Sequence, residues 1–363
     1  MLPYIFLLGY ICVLGLYIFA GKPVTRKRNI IFVRWAFLGA FLLQALRAAS
    51  VGWDTNNYII GFNYYKQGRL YINWEPLFRV LNFIVGIFTD NAQWLLAVSS
   101  LIILIGYGIF IVENTEEKQS TFWQVFFFLT LNQYFVTMNL VRQALAMAFG
   151  LNIYTVMKKD RSPKSVAAAV ILAIIASQFH ITAIACLTLM APFFFKSIKR
   201  KTIVLMGTLL TLLFYGFSVA LNIFVLIFPK YYHYLSSKYM SDTGMSGYYV
   251  LTTLLKIAIV AVIFLTLNPE KEENKTIYQL SLIMVMSVGV AILQTRTSLA
   301  VRFGYYLEVF IILAIPEFIR KFKKKNVRFF VTLFFFAFGL SYFIYVMSAG
   351  SARGCVPYAF FWQ

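Results

Sequence analysis

Residues 92–112 read AQWLLAVSSLIILIGYGIFIV and contain no charged side chain. An α-helix needs about 20 consecutive apolar residues to cross the hydrocarbon core of a bilayer, and this stretch supplies them. Similar apolar stretches recur from residue 2 to residue 348, separated by short polar segments. The sequence therefore predicts an all-α integral membrane protein.

The composition supports this prediction and limits the kinds of partner. Hydrophobic residues make up 61% of the chain and charged residues 13%, whereas a soluble domain has about half apolar and about a quarter charged residues. The net charge is +20, and most of the Lys and Arg side chains lie in short clusters between apolar stretches, which are typical of cytoplasmic loops. We therefore expect membrane lipids as partners and no nucleic acid. The clusters lie at residues 22–28, 158–164, 196–201 and 320–328.

Placing these clusters on the cytoplasmic side predicts a single polytopic membrane domain over residues 1–363. It has about 12 transmembrane segments, within a range of about 10 to 13. Polar and aromatic loops are then expected on the outer face, near residues 48–75, 229–249 and 294–302.

Two apolar stretches do not fit a simple series of spanning helices. Residues 76–88 are too short to cross and contain Arg79 and Asn82, so we expect a short surface or re-entrant helix there. Residues 165–195 connect two basic clusters. We expect them to form a short hairpin with residues 178–180 at its outer tip, because a single span would place one cluster outside.

Arg142 is the strongest candidate for a ligand of an anionic substrate. It belongs to residues 139–146, NLVRQALA, which are expected to open a helix with Asn139, Arg142 and Gln143 on one face. An Arg at the centre of a membrane helix costs about 2.5–3.5 kcal/mol, and its guanidinium suits bidentate binding of phosphate. Snorkelling of Arg142 to the interface is the structural alternative.

A second pair of arginines lies late in the chain. Arg296 and Arg302 flank a short outer turn and are further candidates for anion binding. Arg302 shares a helix face with Tyr306. Glu308 lies about two turns deeper, where a structural ion pair explains it at least as well as catalysis does.

Two acidic residues lie between the second apolar stretch and the short helix predicted at 76–88. Arg47 precedes the run VGWDTNNY, residues 51–58, which contains Asp54 and Tyr58, and Glu75 precedes a proline. A carboxylate beside an apolar surface can act as the general base for a sugar hydroxyl. An Asx-turn at Asp54 and helix capping by Glu75 are the structural alternatives.

Both histidines of the chain are predicted to lie outside. His180, at the hairpin tip beside Thr182, is a candidate base or substrate contact, and a hydrogen-bonded structural His is the alternative. His233 lies in a Tyr-rich loop, whose aromatic residues either form an interface belt or stack on sugar rings.

No metal and no cofactor is predicted. Two histidines and the lack of an HExxH motif exclude a His-rich metal site. There is no P-loop lysine and no GxSxG motif, so neither NTP-driven transport nor serine hydrolysis is indicated. The three cysteines are far apart and predict no disulfide framework.

Taken in order, these motifs resemble the EpsG-type family of exopolysaccharide polymerases, which are related to the Wzy polymerases of O-antigen and capsular polysaccharide. The resemblance extends over roughly residues 45–310, and it departs from the family pattern at Thr182, where a Ser is expected. It rests on Arg47 with VGWD at 51–54 and Tyr58, EPLF at 75–78, NLVRQALA at 139–146, FHITA at 179–183, and Arg302 with Tyr306.

The resemblance implies a glycosyltransferase of the bacterial cytoplasmic (inner) membrane. It implies that oligosaccharide repeat units carried on undecaprenyl diphosphate are joined at the outer face, with a chain-length regulator and a repeat-unit flippase as candidate partners. The expected diphosphate ligands are Arg142, Arg302, Arg47 and Arg296. The catalytic candidates are His180, Asp54 and Glu75, and the expected sugar ligands are Gln143, Tyr58, Tyr306 and His233.

Two other functions remain open at this point. A flippase of lipid-linked repeat units would need cationic residues along a cavity that opens to both sides, whereas charges within the apolar stretches are few, chiefly Lys256 and Glu308. The other hypothesis is a non-catalytic membrane component of a surface-glycan machine. Polymer synthesis by the purified protein distinguishes it from an enzyme.

Overall fold

In the computed structural model, the described residues are 1–69, 74–116, 118–195, 197–216, 219, 222–223, 225–226, 247–297, 299–350 and 352–363. These residues are mainly helical and contain no β-strand, apart from an isolated antiparallel bridge between Arg47 and Phe360. The all-α prediction is confirmed. The chain divides into two compact units, which are Met1–Leu187 with Lys323–Gln363, and Thr188–Phe322.

Helices follow one another along the described chain from Leu2 to Ser348. Two 3₁₀ helices lie at Ile181–Met190 and Glu272–Asn274. The α-helices are α1 (Leu2–Phe19), α2 (Arg26–Ala45), α3 (Thr55–Lys66), α4 (Pro76–Phe88), α5 (Gln93–Asn114), α6 (Phe122–Thr130), α7 (Gln133–Asn139), α8 (Val141–Gly150), α9 (Asn152–Lys159), α10 (Pro163–Ser177), α11 (Ala191–Phe194), α12 (Arg200–Tyr215), α13 (Gly247–Thr266), α14 (Lys275–Leu293), α15 (Leu299–Glu308), α16 (Ile311–Arg320) and α17 (Lys325–Ser348).

Five segments among the described residues are long and apolar enough to cross a membrane. They support the prediction of an integral membrane protein. The number of about 12 transmembrane segments stays a prediction, because many described helices are shorter than a full span. The five segments are Leu2–Phe19, Gln93–Asn114, Tyr249–Thr266, Glu272–Leu293 and Lys325–Ser348.

Polar contacts gather the helices of the first unit at two ends. At the basic end, Glu113 at the end of α5 accepts from Arg26 at the start of α2 and forms an ion pair with Lys159, at the end of α9, at 2.6 Å. At the opposite end, called the Arg47 end, Arg47 donates from Nη2 to the carbonyl oxygen of Met138 in α7 at 2.9 Å. Helices α2, α5 and α8–α9 therefore run between two polar layers.

Helices α3 and α4 both begin at the Arg47 end. The side-chain amide of Gln93, which opens α5, donates to the carbonyl oxygens of Ala45 and Arg47, the latter at 3.1 Å. The end of α2 and the start of α5 therefore meet there, and the chain between them makes no net crossing. Helix α4 occupies the residues predicted for a short surface or re-entrant helix.

After α5, the chain passes between the basic end and the Arg47 end twice, and each pass is made of two short helices, α6–α7 and α8–α9. Between α6 and α7, Asn132 adopts a left-handed conformation with φ of 68°, which Asn tolerates better than most residues. Leu140, with φ −93° and ψ 60°, separates α7 from α8. Asn139 therefore ends α7, whereas the sequence predicted that it would open the same helix as Arg142.

The predicted hairpin after α9 has its turn at the expected residues. Pro163 lies at the start of α10, and Ser162 caps this helix by accepting from the backbone N–H of Ser165 at 3.3 Å. The helix ends at Ser177, and residues 178–180 connect it to the 3₁₀ helix that leads back.

The second unit is organised around a buried ion pair. Lys256 in α13 contacts Glu308 in α15 at 2.5 Å, and their side chains are only 1% and 6% exposed. Lys256 also donates to the hydroxyl of Ser287 in α14 at 2.9 Å. The pair thus joins three helices, and it supports the structural explanation of Glu308 given above.

We expect the Lys256→Met substitution to destabilise the protein by about 3 kcal/mol, because it leaves a carboxylate buried without a partner. The double variant Lys256→Met/Glu308→Leu should recover most of the loss, since replacing both partners by apolar side chains removes the unpaired charge. The thermal midpoint in detergent measures both. A double variant as unstable as the single one would contradict this account.

Candidate functional site

An ion pair between Glu75 and Arg142 lies at the Arg47 end of the first unit. Arg142 Nη1 is 2.5 Å from Glu75 Oε2, and the side chains are 22% and 18% exposed. The second carboxylate oxygen, Oε1, accepts from the backbone N–H of Ile181 at 3.3 Å. Glu75 therefore joins the start of α4, the start of α8 and the hairpin tip. We call the region around Glu75, Arg142 and the backbone of Ile181 the Glu75 site.

The local sequence directs the Glu75 carboxylate away from its own helix. Glu75 occupies the N-cap position of α4 and Pro76 follows it, but the Glu75 side chain makes no capping hydrogen bond. The backbone N–H of Leu77 instead donates to the carbonyl oxygen of Gln178 at 3.0 Å. Capping does not explain Glu75, and its carboxylate is directed toward Arg142.

Aromatic side chains form one wall of the site. The Arg142 guanidinium carbon lies 6.0 Å from the ring centroid of Trp74, within the range of a cation–π contact. Trp74 packs on Phe78 with ring centroids 4.9 Å apart and on Tyr58 at 6.1 Å. Gly61 makes room for this wall, because a Cβ there would lie 1.9 Å from the Trp74 ring.

Tyr58 lies inside this wall, and its hydroxyl is a poor base. Burial raises the pKa of Tyr58 to about 12, and the nearby charge of Arg142 offsets part of that shift. The phenol therefore stays neutral at physiological pH. Tyr58 was predicted to bind sugar. Its side chain is only 5% exposed, and the contact with sugar stays a prediction.

Asp54 lies on a turn that is fixed from two sides. Its backbone N–H donates to the Asn139 side-chain oxygen at 2.9 Å. Gly52 has φ of 95°, a conformation that favours glycine, and its N–H donates to the carbonyl oxygen of Gly354 at 2.8 Å. The Asp54 side chain is partly exposed and makes no capping hydrogen bond to α3.

Arg47 is fully buried, with 0% exposure. Besides Met138, it donates to the carbonyl oxygen of Gln44 and to the hydroxyl of Thr55, the latter at 3.5 Å. These contacts join the ends of α2 and α7 to the start of α3. They support a positioning role for Arg47, and its predicted contact with a diphosphate stays a prediction.

His180 lies beside the Glu75 site in the hairpin turn. Its ring Nδ1 is 2.7 Å from the hydroxyl of Thr182, and the residue is 6% exposed. The next residue, Ile181, is the backbone donor to Glu75. Gln143, predicted to bind sugar, is buried at the start of α8.

The remaining predicted ligands lie in the second unit or outside the described residues. Arg296 is exposed, and its guanidinium carbon is 4.9 Å from the ring centroid of Phe214. Arg302 is also exposed, and Tyr306 is fully buried in α15. His233 lies outside the described residues. Convergence of these residues with Arg142 stays a prediction.

Three parts of the site were absent from the predicted set. Trp74 and Asn139 are close in sequence to Glu75 and Arg142, which was the available signal. No sequence signal indicated the contact of Gly354 with the turn at Gly52, because these residues are about 300 positions apart. Among the described residues, no group of three His, Cys, Asp or Glu side chains could hold a metal ion.

Comparison with known proteins identifies the family. The family model described as EpsG family matches residues 30–360. The chain belongs to the EpsG family. The predicted resemblance is therefore confirmed, and the match includes all parts of the Glu75 site. No curated protein and no solved structure matches the chain.

EpsG membership indicates a role in exopolysaccharide polymerisation, a glycosyltransferase-like reaction. It also implies a lipid-linked oligosaccharide substrate together with membrane lipids. At the Glu75 site, charged and aromatic side chains meet at the Arg47 end of the first unit.

The different burial of the two arginines gives a test of their roles. We expect Arg47→Met to lower stability by about 1–3 kcal/mol, because it leaves buried carbonyl oxygens without their donor. Arg142→Met should lower stability less, since Arg142 and Glu75 are both partly exposed to water. Thermal midpoints in detergent compare the two variants. Equal losses would contradict the positioning role of Arg47.

Proposed function

We propose that this EpsG-family protein joins oligosaccharide repeat units carried on undecaprenyl diphosphate at the outer face of the bacterial cytoplasmic membrane. The polymer is an exopolysaccharide, a capsule or an O-antigen. The observation that carries the proposal is the partly exposed Glu75–Arg142 pair, which combines an anion-binding group and a carboxylate in one site.

The position of the site supports its assignment to the outer face. The basic end contains Arg26 of the first Lys/Arg cluster and Lys158 and Lys159 of the second. Basic clusters mark the cytoplasmic side of membrane proteins. The Glu75 site lies at the other end of the same helices, which is the side where exported polysaccharide is built.

Arg142 is the proposed ligand of the donor diphosphate. It is the second residue of α8, and a helix N-terminus favours bound phosphate. Its side chain is 22% exposed, so the guanidinium is accessible to a ligand. A bound diphosphate would compete with Glu75 for Nη1 and release the carboxylate.

The proposed reaction is a glycosyl transfer between two lipid-linked molecules. The acceptor hydroxyl oxygen forms a bond to the anomeric carbon of the donor sugar, and the bond from that carbon to the phosphate oxygen breaks. The electron pair leaves with undecaprenyl diphosphate, where arginine stabilises the developing charge. The hydroxyl proton passes to a base of the protein.

Glu75 is the base that we favour. Displacement from Arg142 would make its carboxylate available as the donor diphosphate binds, which couples donor binding to activation of the acceptor. Asp54 and His180 are the other candidates. Arg302 and Arg296 remain proposed diphosphate ligands, and Gln143, Tyr58, Tyr306 and His233 remain proposed sugar ligands.

Export of repeat units by a flippase is the alternative. It requires cationic side chains that a substrate can follow through the membrane. The buried cation of α13, Lys256, is paired with Glu308, so it offers no free charge to a passing diphosphate. Flux of lipid-linked oligosaccharide across vesicles that contain the purified protein separates the two functions.

Substitution of the proposed diphosphate ligands tests the polymerase. Arg142→Ala and Arg302→Ala should leave the protein in the membrane but replace long polymer by single lipid-linked repeat units, because the leaving group loses its charge stabilisation. Gel analysis of cellular glycolipids measures chain length. The control is Lys164→Ala, an exposed residue of a basic cluster. Normal polymer in both arginine variants would refute the mechanism.

The base assignment has its own test. Glu75→Gln keeps a hydrogen-bonding oxygen for Ile181 but removes the carboxylate, so kcat should fall by about 10²–10⁴-fold while KM for the donor lipid is not raised. If His180→Ala lowers kcat to this extent and Glu75→Gln does not, Glu75 is not the base.

A further inference from the structure

A groove between α2 and α5 lies away from the Glu75 site. Its volume is about 600 Å³, and it begins at the basic end of the first unit. Val33, Phe37, Leu104 and Gly108 form its buried floor. Its rim consists of exposed apolar side chains, namely Leu38, Leu101, Ile105 and Ile109, which are 43%, 48%, 54% and 50% exposed. The rim thus presents hydrocarbon to the bilayer.

The charged side chains that line this groove lie at its basic end or within about 12 Å of it along α2. They are Arg26, Arg34 and Glu113. Both oxygens of Glu113 are already in use, because Oε1 binds Arg26 and Oε2 forms an ion pair with Lys159 at 2.6 Å. The two arginines, Glu113 and Lys159 leave this end of the groove with a surplus of positive charge.

Arg34 is the cation that Glu113 does not neutralise. It is exposed and forms no ion pair with another side chain among the described residues. It lies eight residues after Arg26 on α2, which is about 12 Å along a helix axis. A guanidinium at that depth in an apolar surface is costly unless an anion lies beside it or the side chain extends to the interface.

We propose that the groove binds an anionic phospholipid, with its phosphate on Arg34 and Arg26 and an acyl chain along the floor between α2 and α5. The opposite charges match, and basic pockets between helices on the cytoplasmic side are known to accept anionic headgroups. The apolar part from Arg34 to Phe41 is about 10 Å long, so it takes part of one acyl chain.

The position of the groove also gives the bound lipid an effect on the fold. It would bridge α2 and α5, the two helices whose opposite ends meet through Gln93 and the carbonyl oxygen of Arg47. The lipid therefore stabilises the packing that holds the Arg47 end together. The inference is independent of the proposed polymerase reaction, which takes place at that other end.

The test uses the full-length protein in nanodiscs of phosphatidylcholine with or without phosphatidylglycerol. Wild type should show a higher thermal midpoint with phosphatidylglycerol and retain that lipid in native mass spectrometry. Arg34→Gln should bind it about tenfold more weakly, as expected for loss of one charge-assisted hydrogen bond. Arg34→Lys keeps the charge and should lose less.

Lys27→Gln is the matched control, because it removes one positive charge from the same helix at an exposed residue that does not line the groove. It should retain wild-type affinity. Equal weakening by Lys27→Gln and Arg34→Gln would overturn the proposal in favour of diffuse attraction to an anionic surface. Wild-type protein that does not distinguish the two lipids, or that retains a polyprenyl phosphate instead, would also overturn it. Size-exclusion profiles verify that each variant is folded.

Discussion

The buried guanidinium of Arg47 is the interaction on which the architecture of the first unit depends. The guanidinium donates to the carbonyl oxygens of Gln44 and Met138 and to the hydroxyl of Thr55. The backbone carbonyl oxygen of Arg47 accepts from the side-chain amide of Gln93. Because a charge without exposure to water needs such partners, the ends of α2, α5 and α7 and the start of α3 are fixed relative to each other. The turn that carries Asp54 is built on this arrangement.

The Glu75–Arg142 pair lies at the same Arg47 end of the first unit, but its physical character is different. Both side chains keep partial access to water, so the pair can be broken by a competing anion at a much lower cost than a buried pair such as Lys256–Glu308. The protein thus contains one ion pair suited to holding helices together and another suited to exchange. That contrast in burial is the reason for placing chemistry at Glu75 and structure at Glu308.

Charge is distributed unequally between the two ends of the first unit. The basic end holds Arg26, Arg34, Lys158 and Lys159 with Glu113 and Glu116 as the acidic partners, a surplus that suits the anionic cytoplasmic leaflet. At the Arg47 end, Arg47 acts through hydrogen bonds and Arg142 through its partly exposed pair with Glu75. A phospholipid in the α2–α5 groove and a diphosphate at Arg142 would therefore bind to the same helices without competing.

The sequence by itself determined the membrane class, the family and the short helix at 76–88, because apolar length, basic clusters and the order of motifs are properties of the linear chain. It also indicated Glu75, Arg142 and His180 as candidate site residues. Only the tertiary structure decided that Glu75 faces Arg142 instead of capping α4, that Arg47 and Tyr58 are buried, and that Gly354 supports the turn at Gly52. Whether a polar side chain is solvated, paired or enclosed depends on neighbours distant in sequence, which local patterns do not encode.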